Sequence, residues 1–449
     1  MGRMAIINAL IVNEGKRQKG NIIVNGGLIE RVIFGDAITI PSFNPQKVIN
    51  AEGLILIPGV IDDHVHFREP GLTHKGDICS ESKAAIAGGV TSIMDMPNTI
   101  PQTVTSEELD KKFEIASKSS LANYSFYLGA TNHNIQEIIK VDKQKVCGLK
   151  LFMGSSTGNM LVDNGESLET IFRSSPVLIG AHCEDEATVK RNTLYYDGIY
   201  NHDIPFACHP QIRSAEACYL SSSLAVDLAK KFNTRLHLLH LSTEKEMSLL
   251  SPGIPLSQKR ITAEVCTHHL WFSDKDYDRQ GWRIKWNPAI KTEADKKALM
   301  EALIDNRIDL IATDHAPHLQ SEKENTYTKC PSGGPMVQHS LVAMLEMARQ
   351  GALTIEQVVD KMCHAPSTLF NIDKRGYIRE GYHADIVLIN PKAKWEVTKG
   401  NILYKCGWSP MEGQTFSHRI THTFVNGRLV FENGKFDESV KGSALIFNR

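Results

Sequence analysis

Apolar and polar residues alternate in two different ways along the 449 residues of the chain. At both ends, short β-rich segments are separated by glycine turns, as in AIINALIV and NIIVNGGLIERVI near the start and HRITHTFVNGRLVFENG near the end. The Asn-Gly pairs that begin at Asn25, Asn426 and Asn433 predict hairpin turns, because both residue types tolerate the positive φ of tight turns. Since chain ends often lie close together, we predict one small β domain composed of residues 1–56 and 370–449.

Between residues 57 and 369 the pattern changes to apolar, β-branched runs separated by segments of helical period. This alternation is typical of a parallel sheet whose strands are joined by helices. The candidate strands are ILIPGVIDDHVH, VTSIMDM, NYSFYLGA, VCGLKLFM, PVLIGAHC, TRLHLLHL, RITAEVC and IDLIATDH. Eight βα units predict an α/β fold, a (β/α)8 TIM barrel that forms the catalytic domain beside the small composite β domain.

The charge balance indicates which kind of partner to expect, and the cysteine content bears on disulfide bonds. Lysine plus arginine number 50 against 51 aspartate plus glutamate, so no global charge attracts nucleic acid or a membrane surface, and a small-molecule substrate is expected. The nine cysteines form no CxxC pair, which argues against a disulfide framework. No stretch supplies about twenty uninterrupted apolar residues, and the N-terminus lacks the pattern of a signal peptide. We therefore expect a soluble, cytoplasmic protein.

Side chains that can bind metal ions stand where the predicted strands end, which is where TIM-barrel active sites lie. They are His64 and His66 at the first strand, Asn98 after the second, Lys150 in the fourth, His182 at the fifth, His240 at the sixth and Asp314 at the eighth. Strand alternation further predicts that Asp62, His64, His66 and Arg68 lean to one face. A single histidine at a strand end is more often structural, but the joint pattern predicts a site for zinc or a similar divalent ion. Five ligands would crowd one ion, whereas two ions about 3.5–4 Å apart could share them.

Lys150 is unusual because it interrupts a strand that should be buried on both faces. A lysine there must either reach solvent or lose its charge. Beside metal ions the neutral amine could capture carbon dioxide and form a carbamate with one oxygen for each ion. The alternative is an exposed lysine at a strand end. The remaining histidines are assigned to packing or to the surface, with His268 and His269 the least secure: His133, His202, His209, His237, His268, His269, His364 and His422.

Several segments together resemble the amidohydrolase superfamily and, within it, the dihydroorotases. They are PGVIDDHVHFREPG, MPNT, GLKLFMGSS, AHCEDE, LLHLST, NPAI and ATDHAPH, and the similarity extends over essentially the whole chain. The resemblance implies a binuclear zinc centre in which His64, His66 and Asp314 hold one ion, His182 and His240 hold the other, and a carboxylated Lys150 bridges both. The same ligands would also accept manganese or cobalt.

The resemblance also implies a substrate and residue roles. Dihydroorotases reversibly cyclise N-carbamoyl-L-aspartate to L-dihydroorotate and water in de novo pyrimidine (UMP) synthesis. A hydroxide that bridges the ions attacks the ring amide, and Asp314 would act as general base and then as general acid. The substrate-binding residues would be His66, Arg68, Asn98 and His318, and Asn287, Ser332 and Gly333 would contact the ring. The segment that contains Ser332 and Gly333, CPSGGPMVQHS, departs from the usual sequence of this loop in the family. An alternative for Arg68 is a salt bridge to Glu69.

Some interpretations stay open at the level of sequence. The stretch FMGSSTGNMLVDNG after Lys150 could close over the barrel as a lid, or it could be an ordinary connection. The resemblance implies a homodimer and allows association with aspartate transcarbamoylase. The competing functions are another cyclic amidase, an allantoinase or dihydropyrimidinase, and a non-catalytic scaffold. Arg68 argues against the first, since a neutral ring would leave its buried charge unpaired. The complete ligand set argues against the second.

Overall fold

The computed structural model describes residues 2–36, 40, 42–154 and 160–449 of the chain. Five strands precede the barrel: β1 (Met4–Asn13), β2 (Lys16–Asn25), β3 (Leu28–Phe34), β4 (Lys47–Asn50) and β5 (Ile55–Pro58). The first three pair antiparallel. The predicted hairpin after Asn25 is confirmed, since Gly26 and Gly27 join β2 to β3 with φ angles of 59° and 90°.

A closed parallel barrel follows. Its strands are β6 (Val60–Val65), β7 (Val90–Asp95), β8 (Asn123–Phe126), β9 (Leu128–Gly129), β10 (Leu149–Phe152), β11 (Ile179–His182), β12 (Leu236–Leu238), β13 (Ile261–Cys266) and β14 (Leu310–Ala312). β8 pairs with β7, and β9, one residue further on, pairs with β10, so the two share one strand position. A parallel bridge between Val65 and His315 closes the ring between β14 and β6. The predicted (β/α)8 barrel is therefore confirmed.

The helices of the described residues are α1 (Ile78–Ala87), α2 (Ser106–Ser119), α3 (Ile135–Lys140), α4 (Gly165–Ser174), α5 (Glu186–Ile199), α6 (His209–Ile212), α7 (Ala215–Phe232), α8 (Thr267–Trp271), α9 (Tyr277–Gln280), α10 (Glu293–Ile304), α11 (Gln320–Lys323), α12 (Ser340–Arg349), α13 (Ile355–Val359) and α14 (Ala365–Phe370). Side-chain caps start α1, α2, α4, α5, α7 and α10. At α1, Asp77 accepts from the backbone N–H of Ser80, and Ser80 Oγ accepts from that of Asp77. Such a reciprocal cap satisfies two N–H groups that the first helical turn leaves unpaired.

The C-terminal strands complete a sheet that the N-terminal strands begin. They are β15 (Ile386–Asn390), β18 (Arg419–Val425), β19 (Arg428–Glu432) and β20 (Lys435–Phe436), whereas β16 (Trp395–Glu396) and β17 (Thr415–Phe416) pair with each other in a separate two-stranded sheet. The large sheet has the order β20-β19-β18-β15-β5-β1-β2-β3, with β4 beside β1. Because β5 pairs with both β1 and β15, the two ends of the chain share one sheet, as the composite β domain predicts.

The first candidate strand, residues 55–66, is in fact two strands in different sheets. β5 belongs to the composite sheet and β6 to the barrel, and Gly59 stands between them. A Cβ atom on Gly59 would lie 2.0 Å from Thr91 Oγ1, so only glycine allows the backbone to pass there. At the other end of the chain, the segment between β15 and β18 leaves the sheet and packs on the barrel, where the indole of Trp408 donates to the carbonyl of His318 at 2.8 Å.

The nine cysteines are free thiols, as predicted. Among the described residues, no helix combines the length and the apolar character needed to cross a membrane.

A buried ion pair offers a test of the barrel's stability. Lys112 on α2 lies 2.5 Å from Asp95 at the end of β7, both side chains are fully buried, and Asp95 Oδ1 also accepts from the N–H of Phe67 at 2.7 Å. Lys112→Met leaves the Asp95 charge buried, so we expect a loss of about 3–5 kcal/mol in the free energy of unfolding, measured by urea denaturation. Lys111→Met, which removes an exposed lysine from the same helix, should leave the unfolding midpoint nearly unchanged. Equal effects of the two substitutions would contradict the view that the buried ion pair stabilises the barrel.

Candidate active site

Three of the predicted ligands lie together where β14 meets β6. Asp314 Oδ1 lies 3.3 Å from His64 Nε2 and 3.0 Å from His66 Nε2, and all three side chains are buried. The indole of Trp286 donates to the backbone carbonyl of Asp314 at 3.3 Å. Burial raises the pKa of Asp314, but the two imidazoles more than offset this and hold it below its usual range. The donor atoms lie close enough together to bind one metal ion.

The other predicted ligands face this group. His182 Nδ1 lies 3.0 Å from His240 Nε2, and the ring centroids of His240 and His64 are 5.2 Å apart. Lys150 in β10 is fully buried, and its Nζ has no hydrogen-bond partner among the described residues. Burial lowers the pKa of Lys150 to about 8, although Asp314 and Glu264 act in the opposite direction. The exposed-lysine alternative is therefore wrong.

The second ring nitrogen of three of these histidines is held by a neighbouring side chain. His64 Nδ1 lies 2.6 Å from Glu264 Oε1, His66 Nδ1 lies 2.7 Å from Asn98 Oδ1, and His182 Nε2 lies 3.0 Å from Glu184 Oε2. An imidazole that donates one N–H to an oxygen keeps a lone pair on its other nitrogen, which is the form that binds metal. Burial lowers the pKa of His66 to about 4, which keeps this ring neutral near pH 7. The sequence analysis did not identify Glu184 or Glu264.

Arg68 lies beside the ligand group. Its Nε donates to the carbonyl of Pro317 at 3.0 Å, and its Nη2 lies 3.0 Å from His318 Nε2. The Arg68 side chain is buried, and within the described part of the chain no carboxylate lies within ion-pair distance of it. Glu69, the alternative partner, instead accepts from the N–H of Ile78 at 2.9 Å. Burial lowers the pKa of Arg68 to about 10, so it stays charged at neutral pH.

A cavity of about 250 Å³ brings the predicted residues together. It is lined by His64, His66, Arg68, Asn98, Lys150, His182, His240, Asn287, Asp314, Ser332 and Gly333, together with Phe152, Arg213 and Ala316, which the sequence analysis did not identify. His318 lies behind Arg68 and lines a neighbouring cavity. Gly333 has φ of 120°, and a Cβ atom there would lie 2.8 Å from Ala316 Cβ. This position of the wall therefore requires glycine.

Asp62 does not share the face of His64 and His66. Its carboxylate accepts from the hydroxyl of Thr313 at 2.6 Å, because irregularities in the pairing of β6 with β7 break the strict alternation. Of the histidines assigned to packing, His237 lies buried between Asp63 and Glu264, and His268 stacks on Trp286 with ring centroids 4.2 Å apart. The hydroxyls and glycine of the predicted lid, Ser155 to Gly158, lie outside the described residues.

Comparisons with known proteins show which family the chain is similar to. The family model described as "Amidohydrolase family" matches residues 218–430. The dihydroorotase of Methanosarcina acetivorans is 31% identical over 420 residues, which cover 91% of this chain and 88% of that protein. The allantoinase of Bacillus velezensis is 30% identical over 433 residues, which cover 95% of this chain and 93% of the allantoinase.

Among solved structures, the L-hydantoinase (dihydropyrimidinase) of Arthrobacter aurescens superposes with a TM-score of 0.90 over 97% of both chains. Its sequence identity is 24%, so it supports the fold alone. Two dihydroorotase relatives, by contrast, align over 88% and 90% of their length at 31% and 32% identity. The chain therefore belongs to the amidohydrolase superfamily, within its dihydroorotase family of hydrolases that act on cyclic amides.

Proposed function

We propose that the chain is a zinc-dependent dihydroorotase, which reversibly cyclises N-carbamoyl-L-aspartate to L-dihydroorotate and water in de novo pyrimidine synthesis. The observation that supports this substrate is Arg68, a buried guanidinium beside the metal ligands with no carboxylate partner among the described residues. An isolated buried charge is costly unless a counter-charge pairs with it. The carboxylate beside the reacting ring of dihydroorotate supplies that counter-charge.

The hydrogen bonds around His318 favour the same conclusion. Lys75 Nζ lies 3.1 Å from His318 Nδ1, and His318 Nε2 lies 3.1 Å from the carbonyl oxygen of Ser332. In this arrangement Nδ1 accepts from the ammonium group and Nε2 carries the hydrogen. Because Arg68 Nε donates to the carbonyl of Pro317, the N–H groups on Nη1 and Nη2 that do not face His318 are the ones available to an anion among the described residues. A planar guanidinium can hold a carboxylate with two parallel hydrogen bonds, which a lysine cannot do.

The nearest alternative is an allantoinase or a dihydropyrimidinase. The similarity to the Bacillus velezensis allantoinase favours it, and so does the shared barrel of the hydantoinase. Allantoin, hydantoin and dihydrouracil carry no carboxylate, however, and would leave Arg68 without a counter-charge. A non-catalytic scaffold is disfavoured because all six ligand-type residues are present and converge on one cavity.

The donor set fits two divalent ions. His64, His66 and Asp314 would hold one, His182 and His240 would hold the other, and Lys150 would bridge them after carboxylation. The buried Nζ of Lys150, which has no hydrogen-bond partner among the described residues, supports this assignment, because a carbamate would give that nitrogen a role and supply a negative group for the cations. Imidazole and carboxylate donors suit zinc, and also manganese or cobalt.

When bound, such ions lower the pKa of a water molecule and polarise the carbonyl of the ring amide. Asp314 stays ionised at neutral pH and can accept at Oδ1 or Oδ2 the proton that this water loses. The water oxygen bonds to the carbonyl carbon as it loses this proton. When the ring C–N bond then breaks, that oxygen stays in the new carboxyl group and Asp314 returns the proton to the ring nitrogen. Arg68 meanwhile fixes the substrate carboxylate, and Asn98 orients His66 through its 2.7 Å contact. Ring closure is the reverse of these steps.

A substrate panel tests the proposal. We expect the zinc-supplemented protein to hydrolyse dihydroorotate with kcat/KM at least about 100-fold above that for allantoin, hydantoin or dihydrouracil, because a site built to pair a charged group rejects rings that lack it. Chelation should remove the activity, and restored zinc should recover it. The control is ring closure of N-carbamoyl-L-aspartate, which must show the same metal dependence. Preference for an uncharged ring would overturn the Arg68 argument and favour the alternative amidase.

A further inference from the structure

Two buried lysines lie behind the cavity wall and take no part in the chemistry described above. Lys323 at the end of α11 is fully buried, and Lys285 is 6% exposed. Within the described ranges, neither ammonium group has a carboxylate partner. Burying a lysine is expensive unless its N–H groups are satisfied, so the contacts of these two side chains indicate what they stabilise.

Lys323 joins two segments of the wall. Its Nζ donates to the carbonyls of Pro331 and Gly333 at 2.8 Å each and to the carbonyl of Lys285 at 3.3 Å. Pro331 and Gly333 flank Ser332, whose own carbonyl lies 3.1 Å from His318 Nε2. One ammonium group thus fixes the peptides on both sides of Ser332, and all three of its N–H groups have acceptors.

Lys285 reinforces the same junction from the other side. Its Nζ donates to the carbonyls of Tyr327 and Cys330 at 2.7 and 2.5 Å, and its own carbonyl accepts from the N–H of Gly333 at 2.8 Å. Asn287, which lines the cavity, lies two residues further along this segment. The two lysines therefore connect the segment that carries Asn287 to the loop that carries Ser332 and Gly333.

We propose that Lys323, supported by Lys285, is a specificity-determining positioning residue: it holds Asn287, Ser332 and Gly333 as one rigid wall against the substrate ring. This inference rests on the proposed function as a cyclic amidase, but it does not depend on which ring is hydrolysed. Among the described residues, the hydrogen bonds of Lys323 Nζ go to backbone carbonyls and none goes to a predicted metal ligand, so we expect it to act on substrate binding rather than on the chemical step. A wall displaced by about 1 Å costs binding and orientation of the ring.

Lys323→Met tests this, because methionine keeps the length of the side chain but removes the three donors. On whichever ring the unaltered holoenzyme hydrolyses best, we expect KM to rise about tenfold or more while kcat changes less than about threefold and metal content is unchanged. In hydrogen exchange of the same protein, amides of residues 326–334 should exchange faster.

Lys361→Met is the matched control. Lys361 is also a buried lysine, and its Nζ donates to Asn306 Oδ1 at 2.8 Å and to the carbonyl of Ile308 at 3.1 Å, away from the cavity. This variant should lose stability without a change in KM or in exchange of residues 326–334. Unaltered exchange or an unchanged KM in Lys323→Met, or an equal loss of kcat and metal content in both variants, would overturn the inference. If the unaltered enzyme shows no preference for dihydroorotate, the proposed function is contradicted. The comparison of Lys323→Met with Lys361→Met still tests the role of Lys323 in that case.

Discussion

Replacing Asp314 by asparagine should lower kcat by about 10³–10⁴-fold, because the amide cannot accept the proton that the attacking water loses. The substitution is nearly isosteric, and Asp314 has φ of 44°, a conformation that asparagine tolerates well. The Trp286 indole also donates to the backbone carbonyl of residue 314, independently of the side chain. The backbone should therefore keep its position, and some metal should remain bound through the histidines. Steady-state kinetics together with metal analysis measures both effects.

Asp309→Asn provides the matched control for this experiment. Asp309 is a buried aspartate at the start of the same strand, where it accepts from Lys259 Nζ at 2.7 Å and from the N–H of Ala263 at 2.9 Å. Its replacement should reduce stability and leave kcat within about threefold of the parent value. A metal-loaded Asp314→Asn enzyme that keeps more than about a tenth of its activity would remove Asp314 from the role of proton carrier.

The barrel and the composite sheet could be predicted because their signals are local. β-branched runs separated by helical segments gave the barrel strands, and the turns after Asn426 and Asn433 have the positive φ angles that their residues predict. The division of residues 55–66 into two strands could not be predicted in this way. A continuous apolar run shows that a segment is buried, but it does not show which strand supplies its hydrogen-bond partners. The Pro58-Gly59 pair was the local indication of a break at this point, but it does not show that the chain changes sheet.

The candidate ligands could also be predicted from local sequence, because each interrupts or follows an apolar strand. Glu264 carries an equal signal, because a carboxylate within RITAEVC is as unusual in a buried strand as Lys150 is in VCGLKLFM. Arg213 and Lys323 gave no such signal. They lie outside the barrel strands, and only the folded chain brings them to Glu184 and to the carbonyls of the cavity wall. Side chains whose partners are distant in sequence therefore could not be predicted as part of the site.

Arg68→Met tests the contact between the Arg68 guanidinium and the substrate carboxylate. Arg68→Met should lower kcat/KM for dihydroorotate by about 10²–10³-fold, since losing a buried, charge-assisted contact costs about 3–4 kcal/mol. Arg68→Lys should recover little of this, because an ammonium group cannot form two parallel hydrogen bonds to a carboxylate. Any slow hydrolysis of hydantoin or dihydrouracil should be unaffected, as those rings have no carboxylate to lose. The ratio of kcat/KM values across the panel is therefore the quantity to measure.

Arg213→Lys separates this effect from a general loss of positive charge in the cavity. Arg213 also lines the cavity, but its guanidinium already pairs with Glu184. Its replacement should keep the order of preference among the four rings even if the absolute rates fall. If Arg68→Met slowed charged and uncharged rings by the same factor, Arg68 would be supporting the barrel rim instead of selecting the substrate. The similarity to allantoinase would then become the better guide to the ring that this enzyme opens.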